Sequence, residues 1–420
     1  MFGLDVVIIG NSATGIMASR TVAKLAPAVS TTLIGEEGNT SYSRARIPEI
    51  LAGSSVFEQI IYQKEELYRQ KGIKQVHGKV TRIMPDVRRL VLASGEEISY
   101  DRLLVATGAA PVMPDLPGRN LAGIFGFRSY SDALAVSSAA TDCTRAVVLG
   151  GGLVGLKAAY ALKKRGLSRV AVVVKSPYLM SKQLDGEAAS MVEKVFRAMG
   201  VDFHFGTDAA AFLPTPDGGR VGAVLLEDGT EIPAQMVLAG KGVRPRAGLV
   251  AEAGGQVGQG ILVNPFFRTS LPDLYAAGDC AEVTDVQTGL RAPSGLWPLA
   301  VEQGRYAAMN MIGLARAYPS PLTVQNAVRF GALSLIAAGR RDAGSQVVVR
   351  RREPVPGVLK KFFLVEDQLR GYILVNDLTG AGLFTALVRS GRRTPGLAAV
   401  LAEDSLPLNT FVPRVLTGVR

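Results

Sequence analysis

Two stretches about 140 residues apart repeat one pattern: an apolar strand, a glycine-rich turn, then a helical run. The first, DVVIIGNSATGIMASRTVAKL, starts at Asp5; the second, RAVVLGGGLVGLKAAYALKKRG, starts at Arg145. A strand that runs through G-x-G-x-x-G into a helix aims backbone N–H groups and a helix N-terminus at a pyrophosphate. Gly150, Gly152 and Gly155 keep all three glycines, whereas Gly10 and Gly15 flank Ser12 in the first loop, with Ala13 following. Two such units imply two dinucleotide sites in an α/β chain. The alternative is one working unit and a decayed repeat.

The strands that follow the loops differ at their ends. TTLIGEE delivers Glu36, a carboxylate placed to accept ribose hydroxyls, while RVAVVVK delivers Val174 and Lys175. An uncharged residue followed by a base could accommodate a 2′-phosphate, which is the argument for NADP at the second loop.

A length of 420 residues exceeds one ordinary core. Apolar residues make up 48% and glycines number 47, as in a globular α/β protein. No apolar run reaches the roughly 18 residues of a membrane span. MFGLDVVIIG enters a strand without a basic leader, so a cytoplasmic location is expected. Cys143 and Cys280 stand far apart, which predicts neither a metal site nor a disulfide framework. The net charge of +11 with only 6% aromatics favours an acidic protein partner over nucleic acid.

Two further stretches carry a resemblance. YDRLLVATGAAP is a buried strand ending in Ala106-Thr107-Gly108, and TSLPDLYAAGDCAEV is a strand ending in Gly278-Asp279. With the first loop they resemble, in order and over essentially the whole chain, the flavin signature of the pyridine nucleotide–disulfide oxidoreductase superfamily. The resemblance implies FAD at the first loop, a nicotinamide dinucleotide at the second, and Asp279 on the flavin ribityl chain. It also implies that Trp297, Pro298 and Ala300 lie at the flavin pyrimidine edge, Arg128 over the diphosphate and Val80 at the adenine. Gly240 and Gly242 would face the nicotinamide.

Many members carry a redox cysteine after the first ribose acid, but NTSYSRARIPEILAG holds none. The segment resembles instead the cysteine-free branch: ferredoxin and rubredoxin reductases and the flavin module of assimilatory nitrite reductase. Arg44 matches that branch, and Glu49 falls where its members place a lysine against flavin. Their second-loop helix often carries a glutamate partner for it, and here that position is Lys157. The exchanged pair predicts a Glu49–Lys157 ion pair beside the flavin; the alternatives are a lysine on the dinucleotide phosphates or a solvated one. Because LMSKQLD resembles the nitrite reductase module, NAD is the expected nucleotide and NADP the second reading.

The implied architecture is two Rossmann-like dinucleotide-binding domains plus a C-terminal α+β interface domain. The FAD-binding domain would comprise 1–112 and 248–322, split by an NAD(P)-binding domain at 113–247, with the interface domain at 323–420. In the last region VRFGALSLIAAG reads as a strand, GVLKKFFLVEDQLRGYILVN as a hairpin and GAGLFTALVRSG as a helix. Arg340, Arg341, Arg350, Arg351, Arg352, Lys360, Lys361, Arg389, Arg392 and Arg393 give it a basic face, either solvated or a dock for an acidic iron–sulfur protein. The apolar C-terminal segment from Gly396 is a candidate to pack on a partner.

The function implied is hydride exchange between nicotinamide and FAD, then single-electron exchange with iron–sulfur clusters. With its GNSA first loop the chain resembles flavin subunits serving carbon monoxide dehydrogenase or tungsten aldehyde oxidoreductase, so a polyferredoxin-like subunit of a larger redox complex is one expected partner. A stand-alone oxygen-using NADH oxidase and a flavin-based redox sensor are the alternatives.

Overall fold

The computed structural model describes residues 3–285, 287–319, 325–341, 344–351 and 357–403, without the side chains of 349–351. The chain divides into two compact units, Met1–Val173 with Asp202–Leu322, and Val174–Val201 with Thr323–Arg420.

In the first unit the two glycine loops each rise from the central strand of a five-stranded sheet. One sheet runs Leu274–Ala276, Arg102–Val105, Asp5–Ile9, Ser30–Gly35, Ile73–His77. The other runs Ile124–Gly126, Met236–Ala239, Arg145–Leu149, Arg169–Val174, Val201–Phe205. Asp5–Ile9 and Arg145–Leu149 each pair in parallel with both neighbours; four strands follow one order in both sheets, while the edge strand is the last in the chain in the first sheet and the first in the second. Parallel strands buried on both faces must be apolar throughout. Val6, Val7 and Ile8 accordingly expose 2% or less, as do Val147, Val148 and Leu149. Each such side chain contributes about 1.5–3 kcal/mol on burial.

Both sheets carry a three-stranded antiparallel appendage: Val80–Met84, Arg89–Leu92, Glu97–Ser99, and Ala209–Pro214, Val221–Leu226, Glu231–Pro233. The turn signals Asp217-Gly218 and Asp228-Gly229 join the latter strands, with both glycines at positive φ. Cys280 is fully buried, as a packing residue would be.

The second unit is an antiparallel sheet in the order Gln325–Phe330, Leu333–Gly339, Gln368–Val375, Leu359–Val365, Gln346–Arg351, with the helices Ala381–Ser390 and Leu397–Ala402. The hairpin and the first of these helices fall where the sequence placed them. VRFGALSLIAAG, read as one strand, is instead a hairpin: Phe330 pairs with Leu333 around Gly331, which turns at φ +61°. Helix Gly186–Ala198 starts at Asp185, and Lys361 bridges Asp185 and Glu187 at 2.6 Å each. The side chains of Arg350 and Arg351, all of Arg352, and the segment beyond Glu403 lie outside the described residues. Among the described residues no helix is long and apolar enough to cross a membrane.

Candidate functional site

Backbone proximity shapes the first loop. Gly10 turns at φ +117°, and a Cβ there would lie 2.2 Å from the Ala106 carbonyl oxygen. A Cβ on Gly15 would lie 1.8 Å from the Gly10 oxygen. Only glycine fits either place. Ser12 caps helix Ala13–Leu25 with extended backbone, but its hydroxyl makes no capping bond, so the first-turn N–H groups keep no side-chain acceptor. Such an end suits a phosphate.

Distant segments converge on that helix start. Thr14 Oγ1 donates to the Ala300 carbonyl at 3.1 Å. Gly278 and Gly304 have no room for a Cβ against Thr14, at 2.2 Å and 2.4 Å. Buried Gln303 accepts from the Gly278 N–H and donates to Ser294 Oγ. Pro298 sits in the first turn of helix Trp297–Met311, and Tyr62 meets the Trp297 ring edge-on with centroids 5.2 Å apart. Thr107 donates to the Arg246 carbonyl and Gly108 accepts from the Arg246 N–H.

A charged network joins the rest. Arg128 Nη2 lies 2.6 Å from Asp279 Oδ2. Arg44 donates to the Arg128 carbonyl at 3.2 Å and pairs with Glu37, which also accepts from the Tyr42 hydroxyl. Burial pushes the Glu37 carboxyl up, but the Arg44 charge and the two hydrogen bonds hold it below its ordinary value. Burial, with Glu37 beside it, raises the Tyr42 phenol. Glu36 is half-exposed, with Arg246 at 3.5 Å and Lys79 at 3.7 Å. Val80 is buried where the first antiparallel appendage begins.

Sequence reasoning passed over Asn11. Its Oδ1 accepts from Ser41 and Tyr68, and its Nδ2 donates to the carbonyls of Gly38 and Asn39. It thereby binds the glycine loop to the turn after Glu36 and Glu37. The signal available was an amide, with two donors and two acceptor positions, inside a phosphate loop.

The second loop repeats the first. Gly150 turns at φ +113° with a Cβ 2.5 Å from the Gly240 oxygen; a Gly155 Cβ would lie 2.0 Å from the Gly150 oxygen. Gly152 starts helix Leu153–Lys164 without a side-chain cap, and its Cβ would meet nothing within 4 Å. The close contacts shape the turn, and the open ground over Gly152 leaves room for a phosphate. Both loops therefore fit a dinucleotide. Gly242 turns at φ +96° beyond Gly240, Val174 ends its strand buried, and Lys175 is exposed.

Glu49 and Lys157 do not form the expected ion pair. Arg46, three residues earlier, takes the Glu49 carboxylate at 2.6 Å. The Lys157 ammonium donates to the Ala45 carbonyl at 3.4 Å. Burial lowers the Lys157 pKa, and the Glu49 charge partly restores it. The Glu49 charge is felt at Lys157, but a local arginine outcompetes a lysine that must reach across from another helix.

Known proteins share this architecture. The assimilatory nitrate reductase electron transfer subunit of Bacillus subtilis is 30% identical over 374 residues, which is 88% of this chain and 47% of that protein. This chain thus spans about half the length of that relative. The NADH-dependent phenylglyoxylate dehydrogenase subunit epsilon of Aromatoleum evansii is 30% identical over 361 residues, 85% of each chain. The crystal structure of the ferredoxin reductase for the CYP199A2 system from Rhodopseudomonas palustris matches with a TM-score of 0.89 and 25% identity, covering 97% of this chain and 99% of that one. Residues 4–304 match the pyridine nucleotide-disulphide oxidoreductase family, and the chain belongs to it.

Proposed function

We propose that this chain is an FAD-dependent NAD(P)H oxidoreductase that exchanges hydride with a nicotinamide and single electrons with an iron–sulfur partner. The observation that carries the reading is the pair of glycine loops, the first with Ser12 at its middle position, in a chain with no cysteine between Glu37 and Asp142. The thiol of Cys280 is buried, pushed up by that burial, and donates to the Val105 and Ala277 carbonyls. It serves packing, and in this reading electrons enter and leave through the flavin alone.

FAD, when bound, supplies a centre that takes a hydride and gives up electrons singly. In this reading Gly10, Ser12, Ala13 and Gly15 hold its pyrophosphate, Glu36 its ribose, and Asp279 with Arg128 its ribityl and diphosphate. Gly150, Gly152 and Gly155 hold the nicotinamide dinucleotide, and Gly240 and Gly242 line its approach. NAD is the proposed nucleotide, the named NADH-dependent relative supporting it, with NADP second because Val174 and Lys175 replace an acid.

The partner is proposed to be an acidic iron–sulfur protein or polyferredoxin-like subunit. The net charge of +11 supports electrostatic steering of such a protein. Anaerobic titration of the FAD-loaded protein with NADH and NADPH in parallel tests the reading. Flavin bleaching by NADH at the lower concentration is expected; bleaching by neither contradicts it.

A further inference from the structure

Lys157, Ala161 and Arg165 follow one another at four-residue spacing, so they lie along one face of the helix that leaves the second glycine loop. Each cation ends on a backbone carbonyl. Lys157 Nζ donates to Ala45 O at 3.4 Å, and Arg165 Nη1 donates to Leu51 O at 3.1 Å. Ala45 belongs to the turn that leads into helix Ile47–Leu51, and Leu51 is that helix's last residue. The same short helix is therefore held at entry and at exit.

Arg165 also donates through Nη2 to Ser137 O at 3.0 Å, in the last turn of helix Tyr130–Ala139. Carbonyls at a helix C-terminus lack intrahelical donors and carry partial negative charge, so an arginine fork suits two of them at once. Between the two cations, Ala161 is 1% exposed and adds no bulk.

We propose that Lys157 and Arg165 are positioning residues, a two-point clamp that fixes the nucleotide helix against helix Ile47–Leu51 and so sets the hydride-transfer geometry. This rests on the hydride-transfer reading above. The clamp explains the lysine that follows Gly155: it anchors the loop end of the helix, while Arg165 anchors the far end. Without Arg165 the helix pivots about its glycine loop. Such a shift strikes hydride transfer harder than binding, because the reaction is steep in distance and angle.

The test is stopped-flow reduction of the FAD-loaded protein by NADH and by NADH deuterated at the transferred position. For Arg165→Met the limiting rate is expected to fall roughly tenfold or more, the NADH Kd to change less than about threefold, and the isotope effect to rise. Lys157→Met shows the same split, and Lys157→Arg restores most of the rate because a guanidinium can also donate to Ala45. Arg165→Lys, which keeps the charge but cannot fork, falls between wild type and Arg165→Met, and it is the variant read if the methionine variant does not fold.

A lowered melting temperature with unchanged limiting rate and isotope effect in Arg165→Met and Arg165→Lys overturns the clamp. So does a change confined to Kd. Wild-type protein reduced by neither nucleotide overturns the functional reading first, and the clamp falls with it.

Discussion

The Arg128 guanidinium sits 2.6 Å from the Asp279 carboxylate, joining residues 151 positions apart. Both were expected at the flavin from separate stretches, and both are largely buried. Their pairing unites the end of strand Leu274–Ala276 with the segment that precedes helix Tyr130–Ala139. Asp279→Asn leaves Arg128 without its counter-charge and turns the proposed charged ribityl acceptor into a neutral amide that accepts through one oxygen only. A lost charge-assisted hydrogen bond costs about 1.5–3 kcal/mol, so FAD Kd should rise about tenfold to a hundredfold. The flavin-to-protein absorbance ratio after desalting measures it.

The glycines separate shape from binding. Gly150→Ala forces a Cβ to 2.5 Å from a backbone oxygen at φ +113°, so nucleotide-driven flavin reduction should nearly vanish while FAD remains bound. Gly10→Ala should instead yield protein that retains no FAD. Gly152→Ala meets no atom within 4 Å, so its melting temperature should match wild type. Its NADH Kd should nevertheless rise about tenfold, since the methyl occupies ground proposed for the pyrophosphate. Equal affinity in Gly152→Ala would remove the phosphate from that loop.

Glu49 is expected to matter less than Lys157. Arg46 already holds its carboxylate, and the pair is substantially exposed, where such pairs are worth about 1 kcal/mol or less. Glu49→Gln should therefore change the limiting rate of flavin reduction less than about threefold. A large loss would mean that the carboxylate acts on the reacting groups directly.

Lys157 gives the pH dependence its sign. Burial lowers its pKa from the ordinary lysine value despite the Glu49 charge. The charged form therefore costs stability at neutral pH, and that cost is relieved as pH rises through the folded value toward the unfolded one. Flavin reduction should fall on the alkaline side before an ordinary lysine would titrate, as the ammonium becomes a weaker donor. Lys157→Arg should remove that limb, read from limiting rates across pH.

Acid should act on the second unit through Asp377. Burial pushes this carboxyl up, but the hydrogen bond and charge of Lys360, with Thr379, bring it down to about 2. Its stabilisation is present above the unfolded value near 3.8 and is lost as pH falls through about 2. Asp377→Asn should cost about 1–3 kcal/mol at neutral pH, because it takes the counter-charge from the buried Lys360 ammonium 2.8 Å away. Its melting temperature should also fall less steeply than wild type's between about pH 4 and pH 2.

What was legible in the sequence follows from what constrains the backbone. Gly10 and Gly150 announce their turns because positive φ and a carbonyl overhead exclude every side chain. The parallel strands announce themselves by continuous apolar runs. The hairpin at Gly331 did not, since apolar residues continue on both sides and only the glycine's φ of +61° reverses the chain. The Glu49–Lys157 proximity was legible, but the choice of partner was not, because Arg46 competes from one turn away. The Arg165 clamp left no sequence signature: its acceptors are backbone carbonyls, which every residue carries.

The most direct measurement is anaerobic stopped-flow reoxidation of NADH-reduced protein by an acidic ferredoxin across a range of ionic strength. The account predicts fast bleaching by NADH, then flavin recovery coupled to ferredoxin reduction, with a second-order rate that rises as salt is lowered. Bleached protein that recovers its colour only on admission of oxygen, at a rate indifferent to ferredoxin and salt, would contradict it.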